Sequence, residues 1–198
     1  ALIRGIAARM NALGCDMGDR GLDVYMLSGV PKGSGLSSSA AFEVLMGTML
    51  NRLFWQERCD SAEIARIGQY AENVFFGKPC GLMDQMAASV GGVVFIDFAD
   101  RAHPVVERLD VDLHAHGYAL CILDSGAGHE DLTDAYSAIT EELRAVCGVF
   151  GKEVLREVPE EAFLARLPRV RKAAGDRAVN RAFHVYGENR RAREEKQA

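Results

Sequence analysis

The chain has 198 residues, 48% of them hydrophobic and 26% charged, with a formal net charge of −5 at neutral pH. Such a composition suits a globular protein with a sizeable core, either one large domain or one domain with part of another. The negative balance argues against general attraction to nucleic acid or to anionic membranes, and no apolar run approaches the roughly 18 residues of a membrane helix.

The N-terminus, "ALIRGIAARM", starts inside an amphipathic pattern, with neither an initiator methionine nor a signal-peptide layout, and we expect a fragment. Leu2 to Leu13 predicts a helix ended near Gly14, and Val24 to Ser28 a short strand. From Phe42 the apolar positions 42, 45, 46, 49, 50, 53 and 54 follow helical spacing with one buried face. Asp60-Ser61 signals the N-terminus of a further helix, with Ile64, Ile67, Tyr70, Ala71, Val74 and Phe75 on its apolar face and Gly77-Lys78-Pro79 as its break. A short apolar segment, Leu82 to Val90, stops at Gly91-Gly92.

Strands are predicted at Val93–Phe98 and Tyr118–Leu123, joined by a polar hairpin or domain-joining loop, Ala99 to Gly117. Helices are predicted at Leu132–Phe150, Glu160–Leu167 and Asp176–Gln197. The order is a mixed α/β first part followed by a mostly helical second part. The last helix runs out at Ala198, which again leads us to expect a piece of a two-domain protein.

The five cysteines, Cys15, Cys59, Cys80, Cys121 and Cys147, are odd in number and form no CxxC. They read as small hydrophobes of a reducing cytosol, with no metal site. His103, His114 and His116 lack helical metal-pair spacing and read as solvated loop residues. His129 follows "DSGAG" and either faces a site or makes a structural hydrogen bond. His184 falls on the more apolar side of the last helix and is expected in the core or half-buried. The run Glu188 to Lys196 reads as a solvated helix face.

Two stretches carry chemistry. In "VPKGSGLSSSAAFEV", Val30 to Val44, Gly33 and Gly35 let a loop curl against a helix N-terminus, whose backbone N–H groups and dipole attract an anion. Ser37, Ser38 and Ser39 add hydroxyls for phosphate oxygen or magnesium. The GK[ST] ending of a Walker loop is absent. The plainer alternative is a glycine turn with Ser37 or Ser38 as N-cap. In "QYAENVFFGKPCGLMDQMAASVGG", Gln69 to Gly92, Glu72 and Asp84 lie twelve residues apart on separate elements. Asp84 stands among Leu82, Met83 and Met86, where a lone carboxylate is costly without work or a partner. The two could divide phosphoryl transfer between magnesium binding and contact with the attacking hydroxyl. Alternatively, Asp84 caps a helix and Glu72 is solvated.

The first stretch resembles the second motif of the GHMP small-molecule kinases, Pro-x-x-x-Gly-Leu-x-Ser-Ser-Ala. "FGKPCGLMDQMAASVGG" resembles the galactokinase form of the segment bearing the catalytic aspartate. "DSGAGHEDLTDAYSAI", "LREVPEEAFL" and "RAFHVYGENRR" are similar to galactokinase segments in the same order. The resemblance implies an α/β (α+β) two-lobed kinase fold with the active site between the lobes and ATP bound in a syn conformation. A mixed-sheet N-terminal lobe would span 1–117, and the start of a helix-rich, ferredoxin-like C-terminal lobe 118–198. It implies that Gly33, Ser34, Gly35, Leu36, Ser37 and Ser38 form the nucleotide phosphate loop, and that Ser39 and Glu72 hold Mg2+. Asp84 would be the catalytic carboxylate facing the sugar C1 hydroxyl, with Gly81 and Tyr136 helping to bind the sugar.

The family's N-terminal arginine-bearing motif and its glycine-rich third motif are not found in these residues, and the arginine that often follows the tyrosine is missing after Tyr136. The implied function is ATP-dependent phosphorylation of galactose at C1 in the cytoplasm, with little or no activity from these 198 residues alone. Two alternatives stand beside it. One is a non-catalytic galactose/ATP sensor that signals through a partner protein. The other is a kinase for a related sugar such as N-acetylgalactosamine.

Overall fold

The computed structural model describes residues 1–31, 35–100, 102–123 and 133–198. In it, α1 (Leu2–Ala12) is followed by α2 (Ser38–Phe54), α3 (Ser61–Tyr70) and α4 (Met83–Val90). Next come β1 (Val93–Asp97) and β2 (Val105–Leu109), and then α5 (Thr133–Gly148), α6 (Glu160–Ala165) and α7 (Leu167–Gln197). The two strands pair antiparallel, giving the mixed α+β class expected from the sequence. The chain divides into one unit of residues 1–96 with 105–127, and another of 97–104 with 128–198. Among the described residues no helix is long and apolar enough to cross a membrane.

The first unit is built on helix packing. Ile6 and Met10 of α1, Met46 and Leu50 of α2, Ile67 of α3, and the neighbouring Cys15 and Ala71 form one buried cluster. Gly5 lets α1 come close to the chain beyond α3, since a Cβ there would lie 2.8 Å from Ala71 Cβ. The Asp60 carboxylate caps α3 by accepting from the Glu63 N–H at 2.8 Å, as its position predicts.

α2 departs from its expected single face. Its buried residues are Ala40, Glu43, Val44, Met46, Gly47, Leu50 and Asn51, whereas Leu45 and Leu53 are exposed. The cause is tertiary: α2 packs on α1, α3 and α4 together, so a second side of the helix is covered. Beyond α3 the backbone widens into a π-helical turn, Ala71–Phe76, closed by Gly77 in the left-handed region at φ +78°. The wider turn shifts the helical phase, and Val74 and Phe75 are exposed rather than continuing the buried face.

Neither Val24–Ser28 nor Tyr118–Leu123 forms a strand, although Tyr25, Leu27, Leu120 and Leu123 are strongly exposed. Strand propensity needs a neighbouring ladder, and among the described residues only β1 and β2 pair. β2 instead comes from the polar stretch read as a hairpin or domain-joining loop, and it pairs with β1.

In the second unit Val146, Cys147, Leu155, Val158, Phe163, Val170, Ala178, Val179 and Ala182 are buried together. The Phe163 ring meets Phe183 edge-on at 5.1 Å, and the Tyr186 hydroxyl donates to the Val158 carbonyl at 2.9 Å. α7 begins nine residues before the expected Asp176 but breaks at Gly175 (φ +85°), where Arg171 and Asp176 pair across the break. His184 is not in the core: it is exposed and lies 3.7 Å from Glu188. His129 lies outside the described residues. All five cysteines are free.

Candidate active site

The serine loop enters α2 at Ser37, whose backbone is left-handed (φ 53°, ψ 47°), a conformation that costs a non-glycine residue roughly 1–2 kcal/mol. Ser37 is the N-cap by position, yet its side chain makes no hydrogen bond to the helix. Its hydroxyl donates instead to Asp84 Oδ2, 47 residues away in sequence. The plainer reading of Ser37 as a side-chain cap therefore fails.

Two residues on, Ser39 Oγ donates to Glu72 Oε1 at 3.3 Å. One helix start thus holds two carboxylates through two hydroxyls. Asp84 sits in the first turn of α4, where the helix dipole favours a negative charge. It is exposed, so the apolar surroundings expected from Leu82, Met83 and Met86 are not what it meets. Met86 is the buried one, on the other side of α4, and Met83 is exposed.

Glu72, by contrast, is 3% exposed, which excludes the solvated alternative. It lies on the π-helical turn. Oε1 takes the Ser39 hydroxyl and lies 3.5 Å from Lys78 Nζ, and Oε2 accepts from Gln85 Nε2 at 3.1 Å. The same Gln85 nitrogen donates to Glu43 Oε2 at 3.0 Å, so one amide group bridges two buried carboxylates. Burial raises the Glu43 carboxyl to about 7; the Gln85 hydrogen bond opposes this, and the Glu72 charge adds to it. Gly68 leaves the room for Glu43, because a Cβ there would stand 3.1 Å from Glu43 Cβ.

Cys80 closes the segment. Its N–H donates to Asn73 Oδ1 at 2.7 Å, and its carbonyl accepts from Gln69 Nε2 at 3.2 Å. Burial, and then the hydrogen bond to Glu72, push its thiol up to about 12, so it is a packed, unreactive group.

Ser37, Ser39, Glu72 and Asp84 are therefore brought together, with Ser38 on the first turn of α2 between the two contacting serines. Gly35 and Leu36 precede the helix and are exposed, as is Gly81 before α4. Gly33 and Ser34 lie outside the described residues. Tyr136, on α5, is 56% exposed and belongs to the second unit. Sequence reasoning missed Glu43, Lys78 and Gln85. The available signal for Glu43 was that it is the one charged residue between Ser38 and Asn51.

Among the described residues no group of three or more His, Cys, Asp or Glu could hold a metal ion. The hard oxygens of Ser39 and Glu72 nevertheless fit Mg2+, which commonly takes one or two carboxylate ligands and completes its shell with water and phosphate.

Residues 1–92 match the family of GHMP kinases N terminal domains. Among curated relatives it is 36% identical over 185 residues to a galactokinase of Actinobacillus pleuropneumoniae, covering 91% of this chain and 46% of that protein. It is 35% identical to a galactokinase of Glaesserella parasuis, covering 88% and 44%, and 33% identical to one of Streptomyces coelicolor, covering 86% and 43%. The chain spans about half the length of the curated relatives it matches.

Proposed function

We propose that the full-length protein is a galactokinase, transferring the γ-phosphoryl group of ATP to the C1 hydroxyl of α-D-galactose. The observation that carries this reading is the pairing of Ser37 with Asp84 and of Ser39 with Glu72 at one helix N-terminus. Galactose as the substrate follows the name galactokinase that these relatives bear. In this reading 1–117 is the N-terminal lobe and 118–198 the beginning of the C-terminal one.

The serine loop, residues 33 to 38, cradles the nucleotide phosphates. The N–H groups at the start of α2 supply fixed positive potential where charge spreads over the transferring oxygens. Asp84 receives or orients the proton of the C1 hydroxyl as that oxygen forms its bond to phosphorus, the bond to the β-phosphate oxygen breaks, and ADP leaves. Gly81 and Tyr136 bind the sugar. Ser39 and Glu72 would hold Mg2+, whose charge would offset that of the β- and γ-phosphates when bound. Lys78 already neutralises Glu72 at the same oxygen, and its exposed stem lets it yield to a stronger cation. Free cysteines suit a reducing compartment, and the cytoplasm is the one proposed.

The test is ADP release and product identification by phosphorus NMR, using the full-length protein with Mg·ATP and a sugar panel. Galactose 1-phosphate is the expected product. A preference for N-acetylgalactosamine would change the sugar, and galactose binding without ADP release would replace the enzyme by a sensor.

A further inference from the structure

Two buried carboxylates on different helices, Glu43 on α2 and Glu72 on the π-helical turn, share one neutral donor. Gln85 Nε2 donates to Glu43 Oε2 at 3.0 Å and to Glu72 Oε2 at 3.1 Å, with Cys80 Sγ at 3.6 Å, and Gln85 is itself 1% exposed on α4. Carboxylates offer only acceptors when ionised, so the pair fixes which end of the amide faces them. Glu43 is fully buried and, among the described residues, its Oε1 has no partner. Its Oε2 contact is thus spent on holding Gln85. A buried carboxylate with half its capacity unused is an expensive element if packing is its only purpose, since an apolar residue would fill the space at lower cost.

What the arrangement does accomplish is directional. Gln85 occupies Oε2 of Glu72 from the interior and leaves Oε1 turned to Ser39 and Lys78. Gln85 also directly follows Asp84, so a single turn of α4 carries one residue to Ser37 and the next to Glu72.

We propose that Gln85, anchored by Glu43, is a positioning residue. It aims the Glu72 carboxylate at the cation that accompanies the nucleotide and couples that aim to the placement of Asp84. This rests on the kinase reading above. The expectation is that of a hydrogen-bonded partner behind a metal ligand, whose loss typically weakens metal affinity by about 10–100-fold.

The experiment measures ATP binding by calorimetry to the full-length protein, in Mg2+ and in EDTA, for the unaltered chain, Gln85→Met and Glu43→Gln. Thermal melts run alongside. The unaltered chain should bind ATP more tightly with Mg2+. Gln85→Met should lose most of that enhancement while its binding in EDTA stays within about two-fold. Glu43→Gln, whose amide oxygen still accepts from Gln85, should keep the enhancement. Should Gln85→Met fail to fold, Gln85→Glu, of the same length but without the bridging amide, is judged by the same readout. An undiminished Mg2+ enhancement in the folded Gln85 variant overturns the proposal while leaving the kinase reading intact. Equal loss in Mg2+ and in EDTA assigns Gln85 a structural role only and also overturns it. No Mg2+ enhancement in the unaltered chain overturns the kinase reading and this proposal with it.

Discussion

The hydroxyl of Ser37 hydrogen-bonds the carboxylate of Asp84, joining the start of α2 to the first turn of α4. Ser37 reaches Asp84 from a left-handed backbone, so strain and contact occur in one residue. A pair of substitutions separates them. Both Ser37→Ala and Ser37→Gly remove the hydroxyl, but only glycine adopts φ +53° without the Cβ penalty. Ser37→Gly should be the more stable by about 1 kcal/mol in denaturant titration. Equal stability would mean that the left-handed conformation is not retained in solution.

Glu43 makes stability depend on pH in a definite direction. Its folded value of about 7 lies above the ordinary 4.5, so the folded chain binds the proton more tightly than the unfolded one. Stability from this group is fully present below about 4.5 and is lost as the pH rises to about 7. The order of magnitude is 3 kcal/mol. Glu43→Gln removes the titration. The difference in unfolding free energy between the unaltered chain and Glu43→Gln should therefore shift in favour of the variant between pH 5 and pH 8. A pH-independent difference would contradict the buried position of Glu43.

Two glycines test the close approaches that shape the site. A methyl group at Gly5 would meet Ala71 Cα at 2.9 Å, a backbone atom that cannot give way. At Gly68 it would meet Glu43 Cβ at 3.1 Å and Oε2 at 3.3 Å. Crowding of this kind costs about 1–3 kcal/mol, against a helix-propensity gain of about 1 kcal/mol. Gly5→Ala should lower the melting temperature more than Gly68→Ala, and both should lie below the unaltered chain. A Gly5→Ala variant as stable as the parent would show that α1 does not pack as described.

Local patterns in the sequence foretold much of this arrangement, because they act over a few residues. The Asp60 cap, the end of α1 near Gly14, the break at Gly77 and the serine loop ahead of α2 all depend on near neighbours. What escaped depends on distant ones. Glu43 sits beside an apolar stripe and looks like the edge of a polar face until α3 and α4 are seen to cover it. Gln85 carries no charge to draw notice, and its role exists only because Glu43 and Glu72 converge on it. The π-helical turn that buries Glu72 while exposing Val74 has no period of its own in a stretch that otherwise continues α3. The misread strands follow the same rule, since Tyr118–Leu123 has the side chains of a strand but, among the described residues, no ladder to join.

In the proposed galactokinase, Asp84 faces the hydroxyl that is phosphorylated, while the serine loop and Glu72 serve the nucleotide and its cation. The direct measurement is ADP release by the full-length protein with galactose and Mg·ATP, comparing Asp84 with Asp84→Ala and pairing each with nucleotide affinity. Loss of turnover by about 100-fold or more, with ATP affinity close to that of the parent, is the result expected of a group acting in proton transfer. Retained turnover in Asp84→Ala would contradict this role of Asp84.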